Sequence, residues 1–279
     1  METVTLGERY VAGEQLTGNA LASLWVAEDL VLDRTVALQV LARRLQEDPG
    51  AVVVFEHESE RAMALAGHAH ALTILRVGRH EKGPAIVSEL LPGPTVRSAL
   101  ADATRPARAV AVRWVTEAGS ALDAAHDQGL LHRDVRPANL LLDAHDRIVV
   151  TGFGIARVAY ESAHVALKSV VGTAAYLAPE QILDDPLTAA SDRYGLAVLA
   201  YELLTGELPH EPQGSFERVA RATLEEDPIP ASARDTSLPA AVDDVLRRGL
   251  DRDPAARWQS AGAFAAELEC ALGARTDAP

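Results

Sequence analysis

The first 90 residues alternate between short apolar runs and turn residues. "RTVALQVL" (34–41) is β-branched and apolar, and "PAIVSELL" (84–91) is a short apolar run between Gly83 and Pro92, so both read as strands. Between them, "DPGAVVVFEHESERAMALAG" (48–67) sets charged and apolar residues at helical spacing and predicts one helix. After "PGPT" (92–95) the pattern lengthens to helical periods. "RPARAVAVRWVTEAGSALDAAHDQG" (105–129) opens near a proline and closes on a glycine, the asymmetry expected of helix ends. "TAASDRYGLAVLAYELLTG" (188–206) is apolar nearly all round and predicts a buried central helix. Two more helices fit 238–250 and 258–274. Strands followed by helices make an α+β arrangement.

Composition narrows the class. The 279 residues are 48% hydrophobic, enough for the core of one large domain or two lobes. No apolar run approaches the ~20 residues of a membrane helix, and no signal peptide is visible at the N-terminus. A net charge of −14 argues against a basic face for nucleic acid. Cys270 is the single cysteine. It excludes an internal disulfide or a cysteine metal site, is expected to pack as a small helix residue, and suits a reducing, cytoplasmic location. Only Lys82 and Lys168 are lysines among 26 basic residues.

The candidate chemistry lies in "HRDVRPAN" (132–139) and "GFG" (152–154). These occur in order with "VALQVL", Glu58 on the predicted helix, "GTAAYLAPE", "SDRYGLAVLAYELLTGELP" and "DPAARW". Together they resemble a bacterial eukaryotic-like Ser/Thr protein kinase domain over about residues 9 to 272. The resemblance implies a single domain over 1–279 with a protein-kinase-like bilobal fold. A small β-rich N-lobe with helix C (about 9–90) is followed by a hinge (about 89–94) and a larger α-helical C-lobe (about 95–272). Nucleotide would lie between the lobes.

Carried over position by position, Asp134 is the base or hydroxyl-positioning residue and Asn139 survives beside it. Arg136 stands where the family has a lysine. Ala37, Ser88 (the gatekeeper position) and Glu89 are implied to line the nucleotide cleft. Arg133 is implied to read a phosphorylated activation segment. Glu180 and Arg257 match a buried ion pair, and Asp192 matches the aspartate that braces the catalytic loop. Thr173 matches a substrate-loop threonine, and Ser162, Ser169 and Tyr160 are the hydroxyls of the segment before it.

The departures are in register: 39 to 58 spans nineteen residues, 134 to 139 five and 139 to 152 thirteen, as in the family. Gln39 replaces the phosphate-gripping lysine, and a neutral amide only hydrogen-bonds. Glu58 is therefore expected to lack its charged partner. Gly152 replaces the magnesium-binding aspartate, and one amide oxygen is a poor magnesium ligand. "LTGNA" (16–20) sets Thr17, Gly18 and Asn19 where a glycine-rich phosphate loop is expected, with Ala20 in place of a third glycine. No lysine precedes residue 82, and Lys82 is expected to point to solvent. Arg34, Arg43 and Arg44 flank the strand rather than face the cleft. Asp143 and Asp146 read as turn formers, the tryptophans as packing, and His68 and His70 as the end of helix C rather than a metal site.

Each missing charge stabiliser costs ~10²–10³ in rate. The leading expectation is thus a pseudokinase, a signalling scaffold or allosteric module. Its partner would be a protein: an active kinase, a phosphopeptide-binding domain or a membrane-linked effector. No cofactor and no metal are expected, with weak metal-independent nucleotide binding at most. The placement is cytoplasmic or in the cytosolic domain of a membrane protein. The alternative is a slow or unconventional ATP-dependent Ser/Thr kinase, favoured by Asp134, Asn139 and the intact helical part.

Overall fold

A computed structural model describes residues 5–102, 105–155, 157–158, 174–210 and 215–273. Tyr160, Ser162, Ser169 and Thr173 lie outside the described residues.

The N-lobe begins with strands β1 (Tyr10–Gly18), β2 (Ala22–Asp29) and β3 (Arg34–Leu41). A short helix α1 (Arg43–Gln46) and the longer α2 (Pro49–Ala62) follow, then β4 (Ile74–His80) and β5 (Gly83–Ser88). The strands form one antiparallel sheet in the order β1-β2-β3-β5-β4. Strand alternation explains its two faces. Val36, Leu38 and Val40 of β3 join Ala85 and Val87 of β5 in an outer core. Ala37 and Gln39 of β3 and Ser88 of β5 turn to the other face, toward the cleft. The predicted 34–41 strand and 48–67 helix are present, the helix capped by Asp48, which accepts from the Gly50 N–H at 2.9 Å. The 84–91 strand stops earlier, at Ser88. There the Glu89 N–H donates to the Thr73 carbonyl at 3.1 Å and the chain leaves the sheet.

The C-lobe holds α3 (Val96–Asp102), α4 (Arg108–Asp127), the hairpin β6 (Leu140–Leu142) and β7 (Ile148–Val150), and helices α5 (Pro179–Leu183) and α6 (Ala189–Thr205). It ends with α7 (Phe216–Glu225), α8 (Ala231–Arg234), α9 (Ala240–Gly249) and α10 (Ala261–Ala271). The central helix α6 is buried on nearly every side, as its all-round apolar sequence predicts. Thr188 caps its start, and Gly206 in the left-handed region (φ +79°) ends it. Residues 70–72 pair with β7, which fastens the lobes together behind the cleft: Leu72 N donates to Val150 O at 2.9 Å and Val150 N to His70 O at 2.8 Å. No described helix is long and apolar enough to cross a membrane.

Candidate active site

The cleft between the lobes is a cavity of about 280 Å³. Ala37, Gln39, Ser88 and Glu89 form its roof and hinge side, and Asp134, Arg136, Asn139 and Gly152 its floor. The β6–β7 hairpin builds the floor. Its register opposes Leu140 to Val150, so the residues flanking the pair meet: the Thr151 N–H and hydroxyl both donate to Asn139 O, at 2.8 and 3.1 Å. That places Gly152 beside Asn139.

Asp134 is the organising group. Its carboxylate accepts from Arg136 Nε at 2.8–2.9 Å and from Asn139 Nδ2 at 2.7 Å. The same amide nitrogen donates to the Asp134 carbonyl at 2.7 Å. The residues on either side are fixed as well. His132 Nε2 bonds Thr151 O at 2.7 Å, and its ring meets the Phe153 ring edge-on at 4.7 Å. Asp192 accepts the His132 and Arg133 N–H groups at 2.8 and 2.6 Å, and bonds His126 Nε2 at 2.8 Å. Burial alone would raise the Asp192 pKa, yet these donors hold it below the ordinary carboxylate range. Glu180 and Arg257 form the expected pair, two parallel bonds of 2.8 Å with both side chains buried.

The phosphate side differs. Asn19 does not open the loop after β1 to a ligand; it closes it. Its Oδ1 accepts the N–H groups of Leu21 and Ala22 at 2.8 and 3.0 Å, and its own N–H donates to Ala22 O at 2.9 Å. Amides that would face a phosphate are consumed by this turn. Thr17 and Gly18 lie on the exposed end of β1 and do not line the cleft, which corrects the expectation for both. Arg44 reaches the same turn and donates to Ala20 O at 3.1 Å.

The family implies magnesium on the nucleotide, but the donors present do not fit a protein-held ion. Gly152 offers no side chain, and the Asp134 carboxylate is committed to Arg136 and Asn139. No cluster of three or more His, Cys, Asp or Glu is placed to hold a metal among the described residues. Gly152 sits at φ +87°, and a Cβ there would meet Asn139 atoms only at 3.6–3.8 Å. The backbone favours glycine, but space for a side chain exists.

Glu58 departs furthest from expectation. It is buried and does not line the cleft. It has not lost its charged partners but exchanged them. Arg157 bonds Oε1 at 2.8 Å, Arg133 bonds Oε2 at 3.3 Å and Arg61 bonds Oε1 at 3.3 Å. Burial opposes ionisation, but these arginines keep its pKa below the usual glutamate value.

Several smaller expectations are settled by contacts. Asp143 Oδ1 accepts the His145 and Arg147 N–H groups, as a turn former does, and Asp146 adopts φ +58°. His70 Nδ1 bonds Ile148 O at 2.9 Å and His68 Nε2 meets Ser120 Oγ at 3.3 Å. Trp114 and Trp258 donate to the Asp146 and Val245 carbonyls. Lys82 is exposed but not free in solvent: its ammonium sits 4.2 Å from the centre of the Trp25 ring. Cys270 is exposed on α10 rather than packed, because it lies two residues past buried Leu268, on the opposite face of the helix. Sequence reasoning missed the apolar ribs of the cleft, Leu24, Leu72, Leu141 and Ile155. Their only signal was position beside the motifs. It also missed Arg157, which no motif marks, and Gln181, whose amide donates to Arg133 O at 2.9 Å.

The family described as protein kinase domain matches residues 32–268. The chain belongs to the protein kinase family. It is 37% identical over 271 residues to the serine/threonine-protein kinase PknB of Mycobacterium tuberculosis, a match covering 94% of this chain and 43% of that kinase. It is 32% identical to PknL of the same species over 96% of this chain and 67% of PknL, and 30% identical to a probable serine/threonine-protein kinase of Clostridium acetobutylicum over 94% of this chain. The crystal structure of the M. tuberculosis PknI kinase domain, C20A mutant, superposes with a TM-score of 0.75 at 28% identity, covering 94% of this chain and 95% of that one. The chain thus spans less than half the length of the PknB kinases it matches. The pseudokinase expectation is corrected by these relatives: each is named for, or is a domain of, a protein kinase, and the likeness runs through both lobes. The substitutions at Gln39 and Gly152 stand, and the chemistry has to be derived with them.

Proposed function

We propose that this chain is the catalytic domain of an unconventional ATP-dependent serine/threonine protein kinase. The observation that carries the reading is Asp134, fixed by Arg136 and Asn139 on the floor of a cleft of about 280 Å³. The adenine side is bounded by Ala37 and the hinge at Glu89 to Leu91. Asp134 orients the acceptor hydroxyl and takes its proton, and a carboxylate already gripped by two donors needs no reorganisation for that task. Arg136 lies beside it and supplies positive charge where phosphoryl oxygens pass.

The phosphate side contributes less. Gln39 hydrogen-bonds without charge, and the Asn19 turn spends its amides on itself. Nucleotide binding is therefore weak and gains nothing from a protein-held metal. Two missing stabilisers lower a typical turnover of ~1–100 per second by ~10⁴–10⁶, which gives a slow kinase, at most ~10⁻² per second. The relatives named as serine/threonine kinases support the acceptor class. ATP supply and the single cysteine fit a cytosolic setting.

The test is incorporation of radiolabelled γ-phosphate into the chain and a basic acceptor protein, followed by phosphoamino-acid analysis, for the native sequence and Asp134→Asn. Phosphoserine or phosphothreonine that disappears in Asp134→Asn is the expected result. Incorporation equal in both proteins, or none in either, overturns the reading.

A further inference from the structure

Arg133 precedes the candidate base and adopts φ +66°, a left-handed conformation that a side chain makes costly. Such a residue holds its place only when neighbours fix it from several directions. Here three do. Asp192 accepts its N–H at 2.6 Å, Gln181 donates to its carbonyl at 2.9 Å, and Glu58 accepts from its guanidinium at 3.3 Å. The first two grip the backbone from the C-lobe. The third reaches across from α2 in the N-lobe.

Glu58 also holds the segment after Gly154. Arg157 bonds it at 2.8 Å, and α2 presses on that segment so closely that a Cβ at Gly154 would lie 2.9–3.0 Å from Ser59 atoms. One buried carboxylate therefore ties three pieces of chain: α2, the loop carrying Asp134 and the turn after β7. It does so away from the cleft, in a chain whose strand-3 position is the neutral Gln39.

We propose that Glu58 is a positioning residue for Asp134, acting through the Arg133 guanidinium rather than through the nucleotide's phosphates. This rests on the kinase reading, because its effect is read on phosphoryl transfer. The mechanical part stands on its own: α2 sets the place of the catalytic loop through this ion pair, so a change at Glu58 moves Asp134 and leaves the phosphate contacts alone. Displacing a base by about an ångström costs ~10²-fold in rate.

The experiment compares Glu58→Gln, Arg133→Gln and the double variant. Glu58→Gln keeps shape and removes charge. Three readouts are taken: turnover, KM for ATP, and amide hydrogen exchange over residues 132–135. The expected result is turnover lower by about 10- to 100-fold, KM for ATP within twofold, and exchange faster by tenfold or more. The double variant should be no worse than the worse single one, since both remove the same tie. Unchanged turnover and exchange overturn the proposal, as does a rise in KM for ATP at constant turnover, which would assign Glu58 to the phosphates. If Glu58→Gln fails to fold, Arg133→Gln carries the same three readouts. A native chain without Asp134-dependent transfer refutes the kinase reading; exchange in the single and double variants then still decides the tie between Glu58 and Arg133.

Discussion

The C-lobe and the N-lobe keep their charged residues under different terms. In the C-lobe, Glu180 meets Arg257 and Asp192 receives the His132 and Arg133 amides, the contacts that the kinase resemblance implies. In the N-lobe the marked positions are occupied but rewired. Gln39 faces the cleft without charge, Asn19 folds the phosphate loop onto itself, and Glu58 turns to three arginines. The contrast separates two demands on a kinase fold. The buried pair between Glu180 on α5 and Arg257 in the turn before α10 bears on stability, since removing one partner strands the other charge in the core. A cation over the phosphates affects only the rate and the nucleotide, so the fold tolerates its loss.

The largest test of that contrast is Arg257→Ala. It leaves Glu180 buried without its bidentate partner, and chemical denaturation should show a loss of about 3–5 kcal/mol. A loss under about 1 kcal/mol would erase the distinction between the lobes. Next is the response to acid. Glu58, Glu180 and Asp192 are each held below the ordinary carboxylate range, because arginines or, for Asp192, His126 and backbone amides outweigh burial. Depressed carboxylates add stability that is fully present above the unfolded pKa of about 4 and is lost as pH falls through the folded values. The unfolding midpoint should ease down from about pH 6.5, where burial lowers the pKa of His68 and His210 and the unfolded chain takes up protons first, and drop most steeply below about pH 4. A midpoint that rises on acidification contradicts the assignment.

A smaller effect sharpens the N-lobe side. Gly152→Asp returns a carboxylate beside Asn139, where a Cβ has 3.6 Å of room. Aspartate is among the residues that tolerate positive φ. Calorimetric titration should then show magnesium tightening nucleotide binding by about tenfold in the variant, and by less than twofold in the native sequence. Equal magnesium dependence in both would mean that the ion is held elsewhere. The smallest expected change is Gln39→Ala, which should alter nucleotide affinity by less than about fivefold, because a half-buried neutral amide contributes about 0.5–1 kcal/mol at most.

What could be read in the sequence followed from how local each constraint is. The all-round apolar run at 188–206 dictates a buried helix without reference to anything distant, and the structure has it as α6. The motif spacings placed Asp134, Asn139 and Gly152 together because a short hairpin of fixed register joins them. Glu58 was legible as a position but not as a contact. Arg61 is three residues away, but the partners that tie Glu58 to other parts of the chain lie 75 and 99 residues away, and Arg157 belongs to no motif. Thr17 and Gly18 failed for the opposite reason: the glycine-loop register was carried over, but Asn19 supplies its own acceptor and closes the turn on itself, so that Asn19 lines the cleft while Thr17 and Gly18 stay on the exposed end of β1.

The most direct measurement is the initial rate of γ-phosphate transfer by the native chain, Gln39→Ala and Asp134→Asn, run in parallel at saturating ATP. A slow native rate, a Gln39→Ala rate within threefold of it and an Asp134→Asn rate at background would place the chemistry on the C-lobe floor. A Gln39→Ala loss as deep as that of Asp134→Asn, or a native rate indistinguishable from background, would contradict it.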